Sequence, residues 1–388
     1  MLKKIIPLLL CFVLIISFTV TVSFAVNEDA AIEVDAKACI LMDQSTGEIL
    51  YAENEHEKLY PASVTKIMPI LLVMEALDSG KISLEDTVTA SAVAAAKGGS
   101  QIWLKEGEQM TVDELLRAAV ISSANDACTA LGEYIAGSEE GIVKMMNDRA
   151  KELGMNDTNF VNCTGLDDDT TEHLTSAHDI ALMSKELLSH ERIKTYSTVW
   201  MDSLRNGETQ LVNTNKLVRF YKGTTGLKTG TTSKAGYCIS ASAERNGLHL
   251  IAVVLGSESS TARFEIAKAM LNWGFANYET VTPELDMSLI TDVNIIKGIE
   301  NSVTPSVEEI KPITLKSGLK SKIETQVDLA TDVEAPVENG QKLGTVKFVA
   351  EGETVGEYAL YCDREIRRLE ISDVLLRLLS ALSLKNEM

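Results

Sequence analysis

The chain has 388 residues, of which 45% are hydrophobic and 24% are charged, and its 56 acidic and 36 basic residues give a formal net charge of −20. This length and composition indicate an ordinary globular protein of two or three domains with ample apolar sequence for a core. A charge this negative argues against nucleic acid as a partner, because contacts with phosphates require lysine and arginine.

The first 25 residues have the three parts of a secretory signal peptide. Lys3 and Lys4 supply the charged start, Ile5–Val22 is mostly apolar, and Ser23–Ala25 has the small-x-small pattern of a cleavage site. We therefore predict a signal peptide at 1–25 and export of the rest to the extracytoplasmic face of the cytoplasmic membrane or the cell wall. An uncleaved membrane anchor is the alternative, since the apolar run approaches the length of a membrane span.

The cysteines and histidines indicate neither a disulfide framework nor a metal site. Beyond the leader the cysteines are odd in number and widely scattered, so most are expected to be small buried apolar side chains, with one disulfide left open. The histidines are scattered too, and His173 and His178 have a spacing that does not share a helical face. No metal or cofactor is predicted.

Within the first 277 residues, some segments have the hydrophobic period of β-strands and others that of α-helices. A strand at Ala36–Met42 turns at Asp43–Glu48 into a second strand, Ile49–Tyr51. Helices are predicted at Pro61–Gly80, Thr111–Gly137, Gly141–Leu153 and Ser176–His190, followed by strands at Gly226–Thr231, Gly236–Arg245 and Leu248–Leu255 and a helix at Thr261–Gly274. Strands at both ends of a helical middle predict a sheet covered by helices, α+β or α/β in class, over a domain at 26–277.

The remaining residues change in character near Asn277–Pro283. Short alternating runs separated by turn residues predict a small all-β domain at 283–363. The tail, 364–388, contains an amphipathic segment at Ile371–Leu384, which predicts a helix that associates with the membrane surface. A helix docked on its own domain or packed between subunits is the alternative, and at about 14 residues the segment is too short to span a bilayer.

Three short motifs occur in a fixed order, and the first can supply a nucleophile with its base. Ser63 follows Pro61 at the predicted start of a helix, where backbone N–H groups favour negative charge. Lys66 lies three residues later on the same helical face, and a buried lysine with a lowered pKa can take the proton that a nucleophilic serine must lose. A capping serine with an unrelated surface lysine is the alternative. Ser317–Lys320 has the same spacing but no partner motifs.

The second motif, Ser123–Asn125, follows an apolar run at Leu115–Ile121, so its polar side chains need partners if the run is buried. Ser123 is a candidate to relay a proton to a leaving amine. Asn125 is a candidate to hold a substrate amide and Lys66. A buried capping pair in a helix bundle is the alternative.

The third motif, Lys228–Gly230, lies in a predicted strand. A glycine in a strand indicates the close approach of another backbone, and an extended peptide can pair along such a strand. Lys228 supplies positive potential, and the N–H of Thr231 is a candidate to form an oxyanion hole with that of Ser63. A bulge glycine in a solvated strand is the alternative.

These motifs, in this order and spacing, resemble those of the penicillin-recognising serine enzymes, in particular the exported low-molecular-weight penicillin-binding proteins that are D-alanyl-D-alanine carboxypeptidases. The likeness covers nearly the whole chain and includes Thr164–Asp167, Lys234–Tyr237, Asn272–Phe275, the β domain and the tail. It implies a β-lactamase/transpeptidase-like α+β fold, an antiparallel sheet covered by helices, followed by the all-β domain and an amphipathic helix.

The resemblance also implies a function and a set of site residues. Ser63 would attack the peptide bond between the two D-alanines that end a peptidoglycan stem peptide, D-alanine would leave, and water would release the shortened peptide. β-Lactams would be taken for substrate and would trap Ser63. The implied catalytic residues are Ser63, Lys66, Ser123 and Asn125, and the implied substrate-binding residues are Lys228, Thr229, Gly230, Thr231, Thr232 and Arg263. Of these, Arg263 matches the arginine that holds the terminal carboxylate.

Two departures accompany the resemblance. Pro69 lies one turn past Lys66, where it is expected to remove a helical hydrogen bond and kink the helix. Ala124 stands where glycine is expected. A polar or basic residue that some relatives carry upstream of Lys228 is not placed by the sequence.

Three alternative functions share the same chemistry or pocket. A β-lactamase is disfavoured, because Glu172–Thr175 does not match the Glu-x-x-Leu-Asn loop of class A enzymes. A penicillin sensor or wall-binding protein without turnover is disfavoured, because all three motifs are complete. An endopeptidase that cuts cross-links differs only in the shape of its cleft and is left open.

Overall fold

The computed structural model describes residue 32 and residues 34–167 and 169–384. The predicted signal peptide and the end of the tail, 385–388, lie outside this range. The elements below all belong to one unit of the chain, Glu33–Met388.

Five antiparallel strands form the sheet on which the N-terminal part is built, in the order β2-β1-β9-β8-β7. The strands of this part are β1 (Ala38–Asp43), β2 (Ile49–Glu53), β3 (Thr87–Thr89), β4 (Gln109–Thr111), β5 (Met201–Leu204), β6 (Thr209–Val212), β7 (Thr224–Thr232), β8 (Gly236–Arg245) and β9 (Leu248–Ser257). The helices are α1 (Ile67–Asp78), α2 (Ala92–Ala95), α3 (Val112–Ile121), α4 (Asn125–Ala136), α5 (Glu139–Glu152), α6 (Ala177–Ser189), α7 (Lys194–Ser197), α8 (Leu217–Phe220) and α9 (Ser260–Asn277). Both α6 and α9 pack against β9, and the predicted sheet with covering helices is confirmed.

Local sequence accounts for much of this sheet. Every residue of β1 is buried, as expected of a strand inside a sheet with both faces covered. The turn from β8 to β9 is Asn246–Gly247, with φ of 52° and 82°. Two successive positive φ values match the right-handed twist of a two-residue hairpin, which is why Asn-Gly predicts it.

The predicted helix Pro61–Gly80 divides into two pieces. Residues Ala62–Lys66 form a 3₁₀ turn, and the α-helix α1 starts only at Ile67. Pro69 is therefore in the first turn of α1, where backbone N–H groups have no helical partner to lose. The prediction that Pro69 removes a helical hydrogen bond and kinks the helix was therefore wrong.

The predicted helical stretch Thr111–Gly137 is also interrupted. Thr111 caps α3 in the expected capping box with Glu114, but α3 ends at Ile121 and α4 begins at Asn125. Between them Ser123 has a φ of 63°, a conformation that a non-glycine residue adopts at a cost. The break turns the second motif out of the helix.

The C-terminal part is built from short strands, as predicted. Its elements are β10 (Tyr278–Val281), β11 (Val293–Ile296), β12 (Ser302–Val303), β13 (Ser306–Val307), β14 (Ile313–Lys316), β15 (Ile323–Leu329), β16 (Asp332–Glu334), β17 (Lys342–Ala350), β18 (Glu353–Tyr361) and the helix α10 (Ile371–Leu384). The sheets are β13-β18-β17-β15, β12-β11-β16 and β10-β14. Ser317–Lys320 lies in the turn after β14, where the Ser317 hydroxyl donates to the Ala276 carbonyl. By its position after β14 this second Ser-x-x-Lys stretch belongs to the β domain, where it contacts the end of α9.

The tail helix α10 forms where the amphipathic pattern predicted it. Five of its apolar side chains are more than half exposed: Ile371, Leu375, Leu376, Leu378 and Leu379. Within the described range, no helix is both long enough and apolar enough to cross a membrane. The apolar surface of α10 is therefore open in this structure.

Candidate active site

The 3₁₀ turn at Ala62–Lys66 brings the first motif together. Side chains three residues apart eclipse one another in this helix type, and Lys66 Nζ lies 2.9 Å from Ser63 Oγ. Ala62 has a φ of 49°, so the residue before the serine has a costly backbone conformation of the kind often found at active sites. Ser63 is partly exposed, whereas Lys66 is fully buried.

Burial sets the protonation of Lys66. Besides Ser63, its Nζ donates to the Thr164 carbonyl at 2.9 Å, and neither partner carries a full negative charge. Desolvation therefore lowers the pKa of Lys66 from an ordinary value near 10.5 to about 8. A lysine with this pKa is neutral in an appreciable fraction of molecules near neutral pH and can then accept a proton from Ser63.

The loop that supplies the Thr164 carbonyl passes very close to the 3₁₀ turn. A Cβ on Gly165 would lie 1.8 Å from the Ala62 carbonyl oxygen, and Gly165 has a φ of 84°. Asn162 Oδ1 accepts hydrogen bonds from the N–H groups of Thr164, at 3.1 Å, and Gly165, at 2.7 Å. Only glycine fits this position, so the loop is fixed against the nucleophile.

A second lysine–serine pair links β7, which packs against the 3₁₀ turn, to the second motif. Lys228 Nζ donates to Ser123 Oγ at 2.8 Å and to the Thr229 carbonyl at 2.9 Å. Both side chains of the pair are buried, and burial together with the charges of Lys66 and Arg263 lowers the pKa of Lys228 well below its usual value. The structure thus joins the second and third motifs, which are 105 residues apart.

Asn125, the remaining predicted catalytic residue, is held by the loop that contains Gly98 and Ser100. Its Nδ2 donates to the Gly98 carbonyl at 2.6 Å, and its backbone N–H donates to the Ser100 carbonyl at 2.7 Å. Its Oδ1 is buried without a hydrogen-bond partner among the described residues. In this structure Lys66 bonds to Thr164 rather than to Asn125. Ala124 has a φ of −61°, so nothing at that position requires glycine.

Gly230 allows β7 to lie directly against the nucleophile. A Cβ on Gly230 would come within 2.7 Å of the Pro61 carbonyl and 2.8 Å of the Ser63 backbone nitrogen. The close backbone that the strand glycine indicated is therefore the segment that carries Ser63. A substituted residue here would push the third motif away from the first.

The predicted substrate-binding side chains divide into two groups. Arg263 Nη1 donates to the Gly230 carbonyl at 2.8 Å and to Thr231 Oγ1 at 3.0 Å, and Thr231 is exposed. Thr232 is instead tied to Asp167 Oδ2 at 2.5 Å. The Thr231 hydroxyl in turn donates to the Gly230 carbonyl at 2.7 Å, so Arg263 and Thr231 meet at the end of β7.

Thr214 is a residue that the sequence analysis did not place. Thr229 Oγ1 donates to Thr214 Oγ1 at 2.8 Å, and the next residue, Asn215, donates from Nδ2 to the Gly226 carbonyl at 2.9 Å. Thr214 is therefore a polar residue upstream of Lys228 that contacts the third motif. Thr214 lies 15 residues before Thr229, so no short-range sequence pattern predicts this contact.

Asp126 was also missed, although it directly follows the second motif. It is fully buried, and its carboxylate accepts the backbone N–H groups of Ile102 and Leu104. These bonds fix the loop that follows Ser100, the residue whose carbonyl holds Asn125. A buried carboxylate needs such donors, and the sequence alone does not show where they come from.

His173 positions the residue between the nucleophile and its base. The Val161 N–H donates to His173 Nδ1 at 3.0 Å, so the proton of the neutral ring is on Nε2, which lies 2.8 Å from Thr65 Oγ1. The ring is fully buried, and burial lowers the pKa of His173 from about 6.5 to about 4. The neutral ring thus bridges two segments 108 residues apart.

This arrangement predicts acid sensitivity. The unfolded chain takes up a proton near pH 6.5, whereas folded His173 resists it down to about pH 4, so this group makes stability fall as the pH falls through that window. His173→Gln keeps one acceptor and one donor without titrating. Between pH 7 and 4.5 the parent should lose about 2 kcal/mol more unfolding free energy than the variant, measured by urea denaturation. Equal losses would show that His173 is not buried in its neutral form.

Two family models match this chain, one in its N-terminal part and one in its C-terminal part. Residues 23–259 match the family model described as D-alanyl-D-alanine carboxypeptidase, and residues 278–368 match that of the penicillin-binding protein 5 C-terminal domain. The chain is 40% identical over 338 residues to D-alanyl-D-alanine carboxypeptidase DacF of Bacillus subtilis, covering 86% of each, and 36% identical over 336 residues to DacC of Escherichia coli, covering 84% of this chain and 83% of that protein.

Two solved structures extend the comparison to the fold. Penicillin-binding protein 5 of Haemophilus influenzae superposes with a TM-score of 0.77 at 30% identity, over 87% of this chain and 98% of that one. Penicillin-binding protein D2 of Listeria monocytogenes, solved in its cefotaxime-bound form, superposes with a TM-score of 0.58 at 31% identity, over 63% of this chain and 99% of that one.

Proposed function

Because this chain belongs to the D-alanyl-D-alanine carboxypeptidase family of serine peptidases, we propose that it removes the terminal D-alanine from peptidoglycan stem peptides through an acyl-enzyme on Ser63. The observation that carries the proposal is the 2.9 Å contact between Ser63 Oγ and the buried amine of Lys66. A serine needs a base to become a nucleophile, and Lys66 is the basic group within reach of its hydroxyl.

The proposed acylation follows from the two lysine–serine pairs. Neutral Lys66 takes the Ser63 proton as Oγ attacks the carbonyl carbon between the two D-alanines. The oxyanion is stabilised by backbone N–H groups, for which Ser63 and Thr231 are our candidates. Ser123, held by Lys228, then relays a proton to the amine of the leaving D-alanine. Water attacks the resulting ester, and the shortened peptide leaves.

The terminal carboxylate of the substrate is assigned to Arg263 with Thr231. Arg263→Ala should lower kcat/KM for a peptide ending in D-alanine by about tenfold to a hundredfold, since hydrogen bonds to charged groups contribute about 1.5–3 kcal/mol. The same peptide with its terminus amidated offers no carboxylate, so its slower turnover should be indifferent to the substitution. An equal loss on both peptides would remove Arg263 from carboxylate recognition.

β-Lactams are proposed to acylate the same serine. They present a strained amide next to a carboxylate and so share the two features that the site is proposed to recognise. One relative was solved in its cefotaxime-bound form, which supports this proposal. Hydrolysis of penicillin at many turnovers per second would instead favour a β-lactamase.

The direct test is release of D-alanine from a diacyl-Lys-D-Ala-D-Ala tripeptide by the chain lacking residues 1–25 and 371–388. Release by the parent, and none by a Ser63 variant, supports the carboxypeptidase. Penicillin labelling of a folded parent that releases no D-alanine would indicate a sensor or a cross-link endopeptidase, and purified cross-linked muropeptides would then be the substrate to try.

We also propose that the chain is exported and attached to the membrane surface by the apolar face of α10. Support comes from the signal-like leader and from the exposed leucines of the helix. The domain limits 26–277, 283–363 and 364–388 are part of this proposal. With 14 residues, α10 is too short to span a bilayer, and its amphipathic pattern suits an in-plane anchor.

Deleting residues 371–388 should release the protein from membranes into the soluble fraction, because the apolar face would be lost. Membrane and soluble fractions would be separated by sedimentation, and the protein would be detected in each by penicillin labelling. A control deletion of 385–388 alone should leave it membrane-bound. Continued sedimentation of the longer deletion would mean that an uncleaved N-terminal segment is the anchor.

A further inference from the structure

One stretch of this acidic chain carries only positive charge. Residues 209–243 contain no aspartate or glutamate and five basic residues, Lys216, Arg219, Lys222, Lys228 and Lys234. With five positive charges inside and a total of −20, the rest of the chain carries −20 − 5 = −25. Lys228 belongs to the site already described, but the first three basic residues do not.

The structure gathers these three residues around α8. Arg245 joins them from the end of β8, where its Nε and Nη2 donate to the Lys222 carbonyl at 3.2 Å. Lys216, Arg219, Lys222 and Arg245, with Phe220, are called the α8 patch below. Within the described part of the chain, none of its four cations forms an ion pair, whereas Arg117, Arg149 and Arg205 each pair with a carboxylate.

Aromatic rings lie among these cations. Phe220 is 66% exposed and packs edge-to-face on Trp200 at 6.0 Å, with the Arg219 guanidinium 5.5 Å from the centroid of each ring. A cavity of about 190 Å³ between α8 and α9 opens beside Phe220. Its lining includes Lys216, which forms no ion pair among the described residues, and the ion pair of Lys268 with Glu265. Flat apolar rings beside unpaired cations suit a ligand that has both ring faces and anionic groups.

The patch is tied to the strand of the candidate site. Thr214 and Asn215, just before Lys216, hold Thr229 and Gly226 of β7 through the side-chain hydrogen bonds described above. A polymer lying on the α8 patch is thus held near the strand that is proposed to bind its stem peptide.

We propose that the α8 patch binds the glycan strand of peptidoglycan, so that the protein docks on the polymer whose stem peptides it trims. This inference rests on the proposed function. Sugar rings fit the exposed ring of Phe220 beside the half-buried Trp200, and the carboxylates of the stem peptides complement the unpaired cations. Charge complementarity favours an anionic polymer, and the exposed ring favours one built of sugars over one built of phosphodiesters or lipid headgroups.

The test compares two variants of equal charge. The patch variant is Lys216→Gln/Arg219→Gln/Phe220→Ala, and the control is Lys320→Gln/Lys342→Gln/Met287→Ala, which removes two exposed lysines and an exposed apolar side chain from the β domain. Binding is measured by co-sedimentation with purified sacculi stripped of phosphate polymers, and turnover by D-alanine release from the soluble tripeptide.

The patch variant should bind stripped sacculi about tenfold more weakly than parent and control, because it loses two cations and one aromatic ring that contact the glycan strand. Its turnover of the soluble tripeptide should be unchanged. Unweakened binding to stripped sacculi would overturn the inference. A loss seen only on sacculi that retain phosphate polymers, or only on vesicles of anionic phospholipid, would overturn it in favour of that ligand.

The unfolding temperature of the triple variant and the D-alanine release of the parent separate loss of binding from loss of folding or of activity. If the triple variant unfolds at a lower temperature than the parent, Lys216→Gln/Lys222→Gln, which changes only exposed side chains, replaces it with the same expectations. A parent that binds stripped sacculi through the patch but releases no D-alanine from the tripeptide would support this inference and refute the proposed function. The two can therefore fail separately.

Discussion

Ser63→Ala is expected to abolish penicillin labelling and to lower D-alanine release by at least about a thousandfold, which is the scale seen when a nucleophilic serine is removed. The Ser63 hydroxyl is the group that Lys66 Nζ contacts at 2.9 Å, and alanine has no atom that can form the acyl-enzyme. The residual rate should be that of substrate held in the cleft with water as the nucleophile.

The fold should survive this substitution. Ser63 is partly exposed, and losing its hydrogen bond to the Lys66 amine costs about 1–3 kcal/mol. Ser317→Ala is the matched control, because Ser317 begins the other Ser-x-x-Lys stretch and lies in the β domain. Mass spectrometry of penicillin-treated protein should show one adduct on the parent and on the control, and none on Ser63→Ala. An adduct on Ser63→Ala would move the nucleophile elsewhere.

Lys66→Met should lower the acylation rate by about 10²–10⁴, the range that general bases contribute. The parent rate should rise as the pH passes through about 8, where Lys66 loses its proton, and the residual rate of the variant should lack that rise. Stopped-flow acylation by a chromogenic β-lactam between pH 6 and 9 measures both. A parent rate that is flat over this range would show that Lys66 is not the base.

The lowered pKa of Lys66 also predicts how the unfolding free energy depends on pH. Burial lowers its pKa from about 10.5 to about 8, so between these values the unfolded chain binds a proton that the folded chain does not. Stability contributed by this group therefore rises with pH across that window, by about 3 kcal/mol. The parent should gain unfolding free energy relative to Lys66→Met between pH 8 and 10, whereas Lys320→Met, an exposed control, should track the parent. A constant difference between parent and Lys66→Met would mean that Lys66 is not desolvated.

Local patterns were enough to predict most elements. The capping box at Thr111, the hairpin turn Asn246–Gly247 and the periods of strands and helices are short-range features, and the structure confirms them. The spacing of Ser63 and Lys66 is local too, since residues three apart meet in any tight helical turn. The family resemblance added the order of the motifs and the expectation that they meet.

Two predictions made from local sequence, the kink at Pro69 and the helical stretch through Ser123, were wrong. The expected kink at Pro69 did not occur, because the α-helix starts at Ile67 and the proline falls in its first turn. The helical stretch around Ser123 is broken, and the positive φ of Ser123 accompanies its bond to Lys228. A contact distant in sequence thus accompanies the break at Ser123, whereas the 3₁₀ turn at Ala62–Lys66 sets where the α-helix that contains Pro69 begins.

What the sequence determined by itself is therefore the longer strands and helices, the three motifs and the pairing of Ser63 with Lys66, whereas short elements such as α2 and α8 were not predicted. Only the tertiary structure decided which groups surround them. Thr164 is 98 residues from Lys66, His173 is 108 from Thr65, and Ser123 is 105 from Lys228. The pKa of Lys66 depends on this packing, because a charge is destabilised by the loss of water around it, and which residues exclude that water is fixed only when distant segments fold together.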